Sequence, residues 1–243
     1  MSKKLRNNLI FALIVLLFVG FFGYREISKR LSNAQLQRQV KRLSSNGKSD
    51  FKNTAEAVTL IAQGQKEFVV GEDMKAGIYD ISTDSDAMIT ANIMINKDTP
   101  SKNIMLSDGQ KVQISEKGSL VLKPSKIEAL KTEGKGEEMY YIIPAQGFYY
   151  EGSQIPAGKY ELVTENLPVI KKRSKMQVKE ADVSIGNAYF SKEGYLVSGN
   201  VENTNSSQGK HRRIVFTLRK NQFVEALYSL PPKNLVVKLK ALD

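Results

Sequence analysis

Apolar and polar positions change rhythm along this 243-residue chain, and each change predicts a different element. Leu9 to Tyr24 (LIFALIVLLFVGFFGY) is almost wholly apolar, and no charge falls between Arg6 and Arg25. As a helix rising about 1.5 Å per residue, the run spans ~24 Å, enough for a hydrocarbon core of about 30 Å when its flanks snorkel. A cleaved signal peptide competes with a retained anchor, but the nearest small-x-small site, Ser32-Asn33-Ala34, lies well past the apolar run. A retained transmembrane anchor over 9–24 is therefore expected. Beyond it, Ile27, Leu31, Leu36, Val40 and Leu43 recur at mostly three- and four-residue spacings with basic residues between, predicting a helix over 25–44. Such a helix suits oligomerisation, contact with lipid headgroups, or a plain solvated stalk. A further short helix is expected from Asn53, whose side chain can cap it with Glu56 three residues on, and Gly64 closes it.

From Phe68 onward the texture becomes short apolar or alternating runs broken by Gly, Asn, Asp and Pro, which predicts strands. The first group is expected at 67–70, 77–82, 87–95, 103–106, 111–114 and 119–122, with Asp108-Gly109 as a hairpin signal. Lys131–Glu138 (KTEGKGEE) reads as a linker. A second group follows at 140–143, 148–151, 158–163, 181–190, 195–202, 213–219, 222–226 and 235–239.

The two groups repeat one another. FVVGEDMKAGIYDI at 68–81 matches YYEGSQIPAGKYEL at 149–162, with Gly71/Gly152, Ala76/Ala157, Gly77/Gly158 and Tyr79/Tyr160 identical. Later, LSDGQKV at 106–112 lines up with LRKNQFV at 218–224. The offset grows from 81 to 112, so the second copy holds about 31 extra residues between the two strips. Gly71 and Gly152 suit positive φ after a strand. The Lys75-Ala76-Gly77 and Pro156-Ala157-Gly158 turns suit tight reversals, and Tyr79 and Tyr160 then open core-facing strands. The motif is read as scaffold. If Gly158 supplies a positive φ, Gly158→Val lowers the melting temperature.

These strips resemble the GxDIPAGxY and LxDGQ signatures of small all-β domains in Gram-positive surface proteins. The likeness covers about two thirds of the chain and departs at Lys220-Asn221, which stand in place of Asp-Gly. The resemblance implies extracytoplasmic β-sandwich or jelly-roll-like modules and no catalytic constellation. The flanking charges point the other way. Lys3, Lys4 and Arg6 precede the span, while Arg25, Lys29, Arg30, Arg38, Lys41 and Arg42 follow it, which by the positive-inside rule leans towards a cytoplasmic C-terminal part. The resemblance is given the greater weight. The expected fold class is mainly β: a cytoplasmic tail (1–8), the anchor (9–24), a helical juxtamembrane stalk (25–64), a β domain (65–130), a linker (131–138) and a second β domain (139–243) enlarged by insertions.

Charge narrows the functional classes. The net +11 is uneven: residues 1–50 hold ten Lys/Arg against Glu26 and Asp50, which favours a membrane surface over nucleic acid. There is no Cys and a single His, His211, so thiol chemistry is excluded and zinc sites nearly so. No P-loop or dinucleotide fingerprint occurs, and the chain is read as a non-enzyme with no cofactor and no metal. Lys171, Lys172, Arg173, Lys175, Lys210, Arg212 and Arg213 form the candidate binding set. On one side of the second domain they would make a face for an anionic wall polymer or an acidic envelope protein; solvated loops are the alternative. Tyr140, Tyr141, Tyr149 and Tyr150 suit either a recognition surface or core packing. The expected function is a single-pass, membrane-anchored surface module that binds without catalysis. The alternative is an accessory subunit of an envelope machine for secretion, conjugation or wall assembly.

Overall fold

The structure, a computed structural model, describes residues 53–89, 93–95, 97, 99–166, 182–190, 196–203, 213–229 and 234–242, together with Leu31, Ala34, Gln37 and Arg38, which are helical. The anchor expected at 9–24 and most of the helix expected at 25–44 lie outside these residues. Among the described residues no helix is long and apolar enough to cross a membrane.

The first unit comprises β1 (Val58–Ala62), β2 (Lys66–Val69), β3 (Gly77–Thr83), β4 (Ala87–Ile89), β5 (Ile93–Ile95), β6 (Ser101–Leu106), β7 (Lys111–Ile114) and β8 (Gly118–Pro124). A short strand, β9 (Thr132–Glu133), precedes the second unit. That unit comprises β10 (Tyr140–Ile143), β11 (Gln146–Tyr150), β12 (Gly158–Glu165), β13 (Asp182–Phe190), β14 (Leu196–Asn203), β15 (Val215–Leu218), β16 (Phe223–Ser229) and β17 (Val236–Leu242). The chain is mainly β, as its alternating patterns predict.

The units have one topology. In the first, strands run in the orders β1-β8-β3-β6 and β2-β7-β4-β5. In the second, the corresponding strands run β10-β17-β12-β15 and β11-β16-β13-β14. Each pair of four-stranded arrays closes on one apolar core. Leu60, Ile81, Leu120 and Leu122 from one array meet Phe68, Ile89, Val112 and Ile114 from the other. Likewise Tyr160, Leu162 and Leu239 meet Tyr149, Val224 and Ile185. Alternation places these side chains inward, because successive residues of a strand point to opposite faces.

The two expected domains share a sheet. β6 pairs with β11 in parallel, Ser101 with Gln146 and Lys102 with Gly147, fusing two arrays into one eight-stranded sheet, β1-β8-β3-β6-β11-β16-β13-β14. Phe148, Tyr150, Ala188 and Phe223 from the second unit consequently complete the core of the first. Phe148 and Phe223 meet edge to face at 5.5 Å, and Tyr150 lies 5.5 Å from the same Phe223 ring.

Four expectations are corrected. Residues 53–57 form no helix, and Val58–Ala62 is a strand paired with β8, so the helical stalk does not reach Gly64. Asn53 does not cap a helix. Its side chain accepts from Ile78 N–H at 3.2 Å and donates to Ile78 C=O at 2.6 Å, closing the end of β3. The 131–138 stretch is built rather than bare: β9 pairs with β10, and Gly136–Glu138 form one 3-10 turn. The run 87–95 makes two strands, β4 and β5, paired with each other. Finally, the Asp108-Gly109 turn joins β6 to β7, which lie in different sheets, so it is a crossing between layers and not a hairpin.

Because Phe223 serves the first unit's core from the second unit's strand, Phe223→Ala is expected to cost about 3–5 kcal/mol. The loss should appear as one cooperative denaturant transition whether the probe sits in β3 or in β12. Two separated transitions, with only the second shifted, would show that the units unfold independently.

Candidate functional site

The repeated strips build the same corner twice. In the first unit, Gly71 (φ +90°) donates its N–H to Met74 C=O at 2.7 Å, and Val70 bridges Met74. In the second, Gly152 (φ +84°) donates to Ile155 C=O at 2.9 Å, and Glu151 bridges Ile155. These left-handed conformations are what glycine supplies without steric cost. The Tyr hydroxyl then reaches back across the turn. Tyr79 donates to Lys75 C=O and Tyr160 to Pro156 C=O, both at 2.7 Å. Both rings are buried, and burial pushes both phenols above their usual pKa, so they stay protonated donors.

The second strip packs against the first. Val70 N–H donates to Gln110 C=O at 2.9 Å, and Glu151 N–H to Gln222 C=O at 3.2 Å. The glutamine amides close their own turns: Gln110 accepts from Ser107 N–H at 2.7 Å and Gln222 from Arg219 N–H at 2.8 Å. Gly109 holds φ +85°, and Asn221 holds φ +63° in the equivalent place. The departure from Asp-Gly at Lys220-Asn221 therefore preserves the turn, since Asn tolerates the left-handed region better than other side chains.

Gly77 and Gly158 behave differently from expectation. Neither has a positive φ. A Cβ on Gly77 would lie 2.7 Å from Ala55 Cβ and 2.9 Å from its backbone, so the close approach of 53–57 requires glycine there. A Cβ on Gly158 would meet only the Tyr160 ring, at 3.4 Å. The reason for glycine is thus packing in one copy, and nothing in the structure demands it in the other.

Of the candidate binding residues, Lys171, Lys172, Arg173, Lys175, Lys210 and Arg212 lie outside the described residues. Arg213 is described, and it is committed: Nε and Nη2 donate to the two Glu161 oxygens at 2.7 and 2.9 Å, holding the guanidinium pKa above its usual value. The outer face of the same sheet is zipped likewise. Lys238 bridges Glu165 and Glu133 at 2.8 and 2.9 Å, and Lys240 reaches Glu138 at 2.6 Å. The described strands that flank the two basic segments do lie near one another. Residues 167–181 leave β12 and return at β13, and 204–212 leave β14 and return at β15. Glu161 pairs with Val215 and Ser184 with Asn203, so all four attachment points sit at one end of the second unit.

The tyrosines divide. Tyr149 and Tyr150 are core residues, their phenols driven up by burial. Tyr141 is half-buried and stacks edge-on against Tyr160 at 5.8 Å. Tyr140 donates to Glu138 at 2.7 Å, with Lys240 5.8 Å over its ring. A cleft of about 600 Å³ not foreseen from sequence opens beside the first corner, lined by Thr54, Glu56, Asp73, Lys75 and Asp108 among others. Its charges are partly used internally: Glu56 pairs with Lys75, and Asp73 accepts from Val69 N–H at 2.7 Å. Among the described residues no group of three or more His, Cys, Asp or Glu is placed to hold a metal ion.

No protein-family model matches the chain, and neither a curated protein nor a solved structure matches it.

The corner geometry separates its glycines. Gly77→Ala should cost about 1–3 kcal/mol by overpacking against Ala55, whereas Gly158→Ala should fall within about 0.5 kcal/mol of the parent. Gly152→Ala, at positive φ, should cost about 1 kcal/mol or more. Chemical denaturation of the three variants gives the ranking, and equal losses at Gly77 and Gly158 would show the Ala55 contact to be misread. Tyr79→Phe and Tyr160→Phe should each lose about 1 kcal/mol with their carbonyl bond.

Proposed function

We propose that this chain is a single-pass, membrane-anchored surface protein whose two β units form a non-catalytic interaction module outside the cell. Each unit is read as a jelly-roll-type sandwich: strands one to eight in the orders 1-8-3-6 and 2-7-4-5, two sheets around one core, are the connectivity of a double Greek key. The apolar run at 9–24 supplies the anchor, and the helix at 25–44 the spacer, with room there for oligomerisation.

One observation carries the binding reading, namely that the described strand ends to which both basic segments attach lie at one end of the second unit. Residues 167–181 hold five Lys/Arg against Glu180, and 204–212 add Lys210 and Arg212 with no acidic residue. The first unit has no such segment, and the cations described nearby on the second unit's outer sheet, Arg213, Lys238 and Lys240, are ion-paired. Of the two β units, the second thus carries its excess of positive charge in the segments attached at this end. Clustered charge of one sign attracts polyanions and does so in a salt-dependent way. The favoured partner is an anionic wall polymer or an acidic envelope protein. The motif residues Gly71, Gly77, Tyr79, Gly152, Gly158 and Tyr160 are assigned to scaffold.

Two measurements check this. Protease added to intact cells should cleave epitopes in both units, and protection until the membrane is opened would place them inside. Changing Lys171, Lys172, Arg173 and Lys175 to Glu should abolish low-salt retention on anionic envelope polymer while leaving the melting temperature unchanged. Undiminished retention would remove the basic end from the reading.

A further inference from the structure

The contact that joins the two units is heterologous, and that raises a structural question about the ends of the chain. The first unit contributes its β6 edge and the second its β11 edge. The counterpart of β11 in the first unit is β2, and the counterpart of β6 in the second is β15. Both are edge strands of their sheets among the described residues. A contact between two different edges leaves the complementary pair outside it, and repeating it from chain to chain builds open filaments. Sheet edges are templates for strand pairing unless something blunts them.

Three features make the internal junction. The first is a bulge in β6. Tyr79 faces Ile104 and Ile81 faces Ser101, so Lys102 and Asn103 together face the single Asp80. Asn103 sits at φ +55°, buried, and its Nδ2 donates to Phe148 C=O at 2.9 Å and to Gln154 Oε1 at 3.3 Å. The second feature is Gly147, at φ +143°. A Cβ there would lie 1.8 Å from the Lys102 carbonyl oxygen, so no other residue permits this approach. The third is the apolar set Phe148, Tyr150 and Phe223 on the face turned towards the first unit's core.

None of these three features is present at β2 or β15. β15 runs in unbroken register from Gly158↔Leu218 to Glu161↔Val215, so it has no bulge and no left-handed Asn. On β2, the repeat offset puts Lys66 where Gly147 stands, with a Cβ and a charged stem on the edge. Glu67, Val69 and Lys111 occupy the places of Phe148, Tyr150 and Phe223, and Glu67 is ion-paired with Lys111 at 2.8 Å. Asp73 replaces Gln154. It keeps the acceptor role, taking Val69 N–H at 2.7 Å as Gln154 takes Tyr150 N–H at 3.1 Å. It lacks the amide N–H₂ with which Gln154 holds Glu128 C=O at 3.0 Å.

We infer that this strand-pairing surface is used once, between the two units, and is disabled at its counterpart edges β2 and β15, so that the protein does not polymerise by β2–β15 pairing. Any assembly must run through another surface, and a filament built by repeating the internal contact from chain to chain is excluded. The inference does not depend on what the basic end binds.

The test uses the full chain in detergent and hydrogen exchange resolved by strand. Gly147→Lys transplants the β2 edge residue into the junction. It should cut protection at Ser101–Asn103 and Gln146–Phe148 by about tenfold or more while β12 and β17 stay protected. Unchanged protection at the junction would show that a lysine does not block the approach, and the inference falls. Should that variant fail to fold, the parent decides alone. Exchange at Lys66–Val69 and Val215–Leu218 should be the same in dilute and concentrated samples. Protection rising with concentration at both strands together would reveal β2–β15 pairing between chains and overturn it. Association that leaves both strands unprotected is the expected sign of another surface.

Discussion

The approach of the Lys102 carbonyl to Gly147 is the constraint on which the rest of the architecture hangs. Two short strands meet there in parallel, Ser101 with Gln146 and Lys102 with Gly147, and the join converts two eight-stranded units into one body. Buried backbone groups must be paired, and so must the polar side chains brought with them. Asn103, Gln146 and Gln154 meet that demand. Gln146 donates to Ser101 Oγ at 2.7 Å and to Met94 C=O at 3.0 Å, tying β11 to both sheets of the first unit. Around this polar seam, Phe148, Tyr150 and Phe223 fill the end of the neighbouring core.

The repeated corners solve a separate problem. A chain passing from one sheet to the other leaves ladder groups without strand partners, and each crossing has to satisfy them locally. The glycine turn, the Gln side chain and the Tyr hydroxyl do this in both units with nearly identical distances. Residues this heavily occupied in holding the backbone are poorly suited to ligand recognition. The segments that differ between copies are not bound by that scaffold, and in the second unit they carry an excess of Lys and Arg.

Much of this was legible along the chain. The repeated strips, most strand positions from β2 onward and the turn chemistry of the Gly–Tyr strips follow from spacing and residue type. Phe148 and Phe223 were also open to reading. They replace Glu67 and Lys111 on the face that alternation assigns to solvent, and an apolar residue on such a face announces a covering partner. The Asn53 region was misread because Asn-x-x-Glu fits a helix start equally well. What decided the matter was a long-range bond from the Asn53 side chain to Ile78, 25 residues away. The basic end was only half visible. Composition marks the two positively charged segments, but their common attachment depends on strand order.

The amino-acid order alone determined the repeating unit, its alternation of inward and outward residues, and the turns at Gly71 and Gly152, because these rest on local sterics and on side-chain burial. Only the tertiary structure decided which edges join. Backbone pairing is nearly the same for any two strands, so the choice rests on a bulge at Asn103, a missing Cβ at Gly147 and three aromatic rings that come together only once the chain has folded.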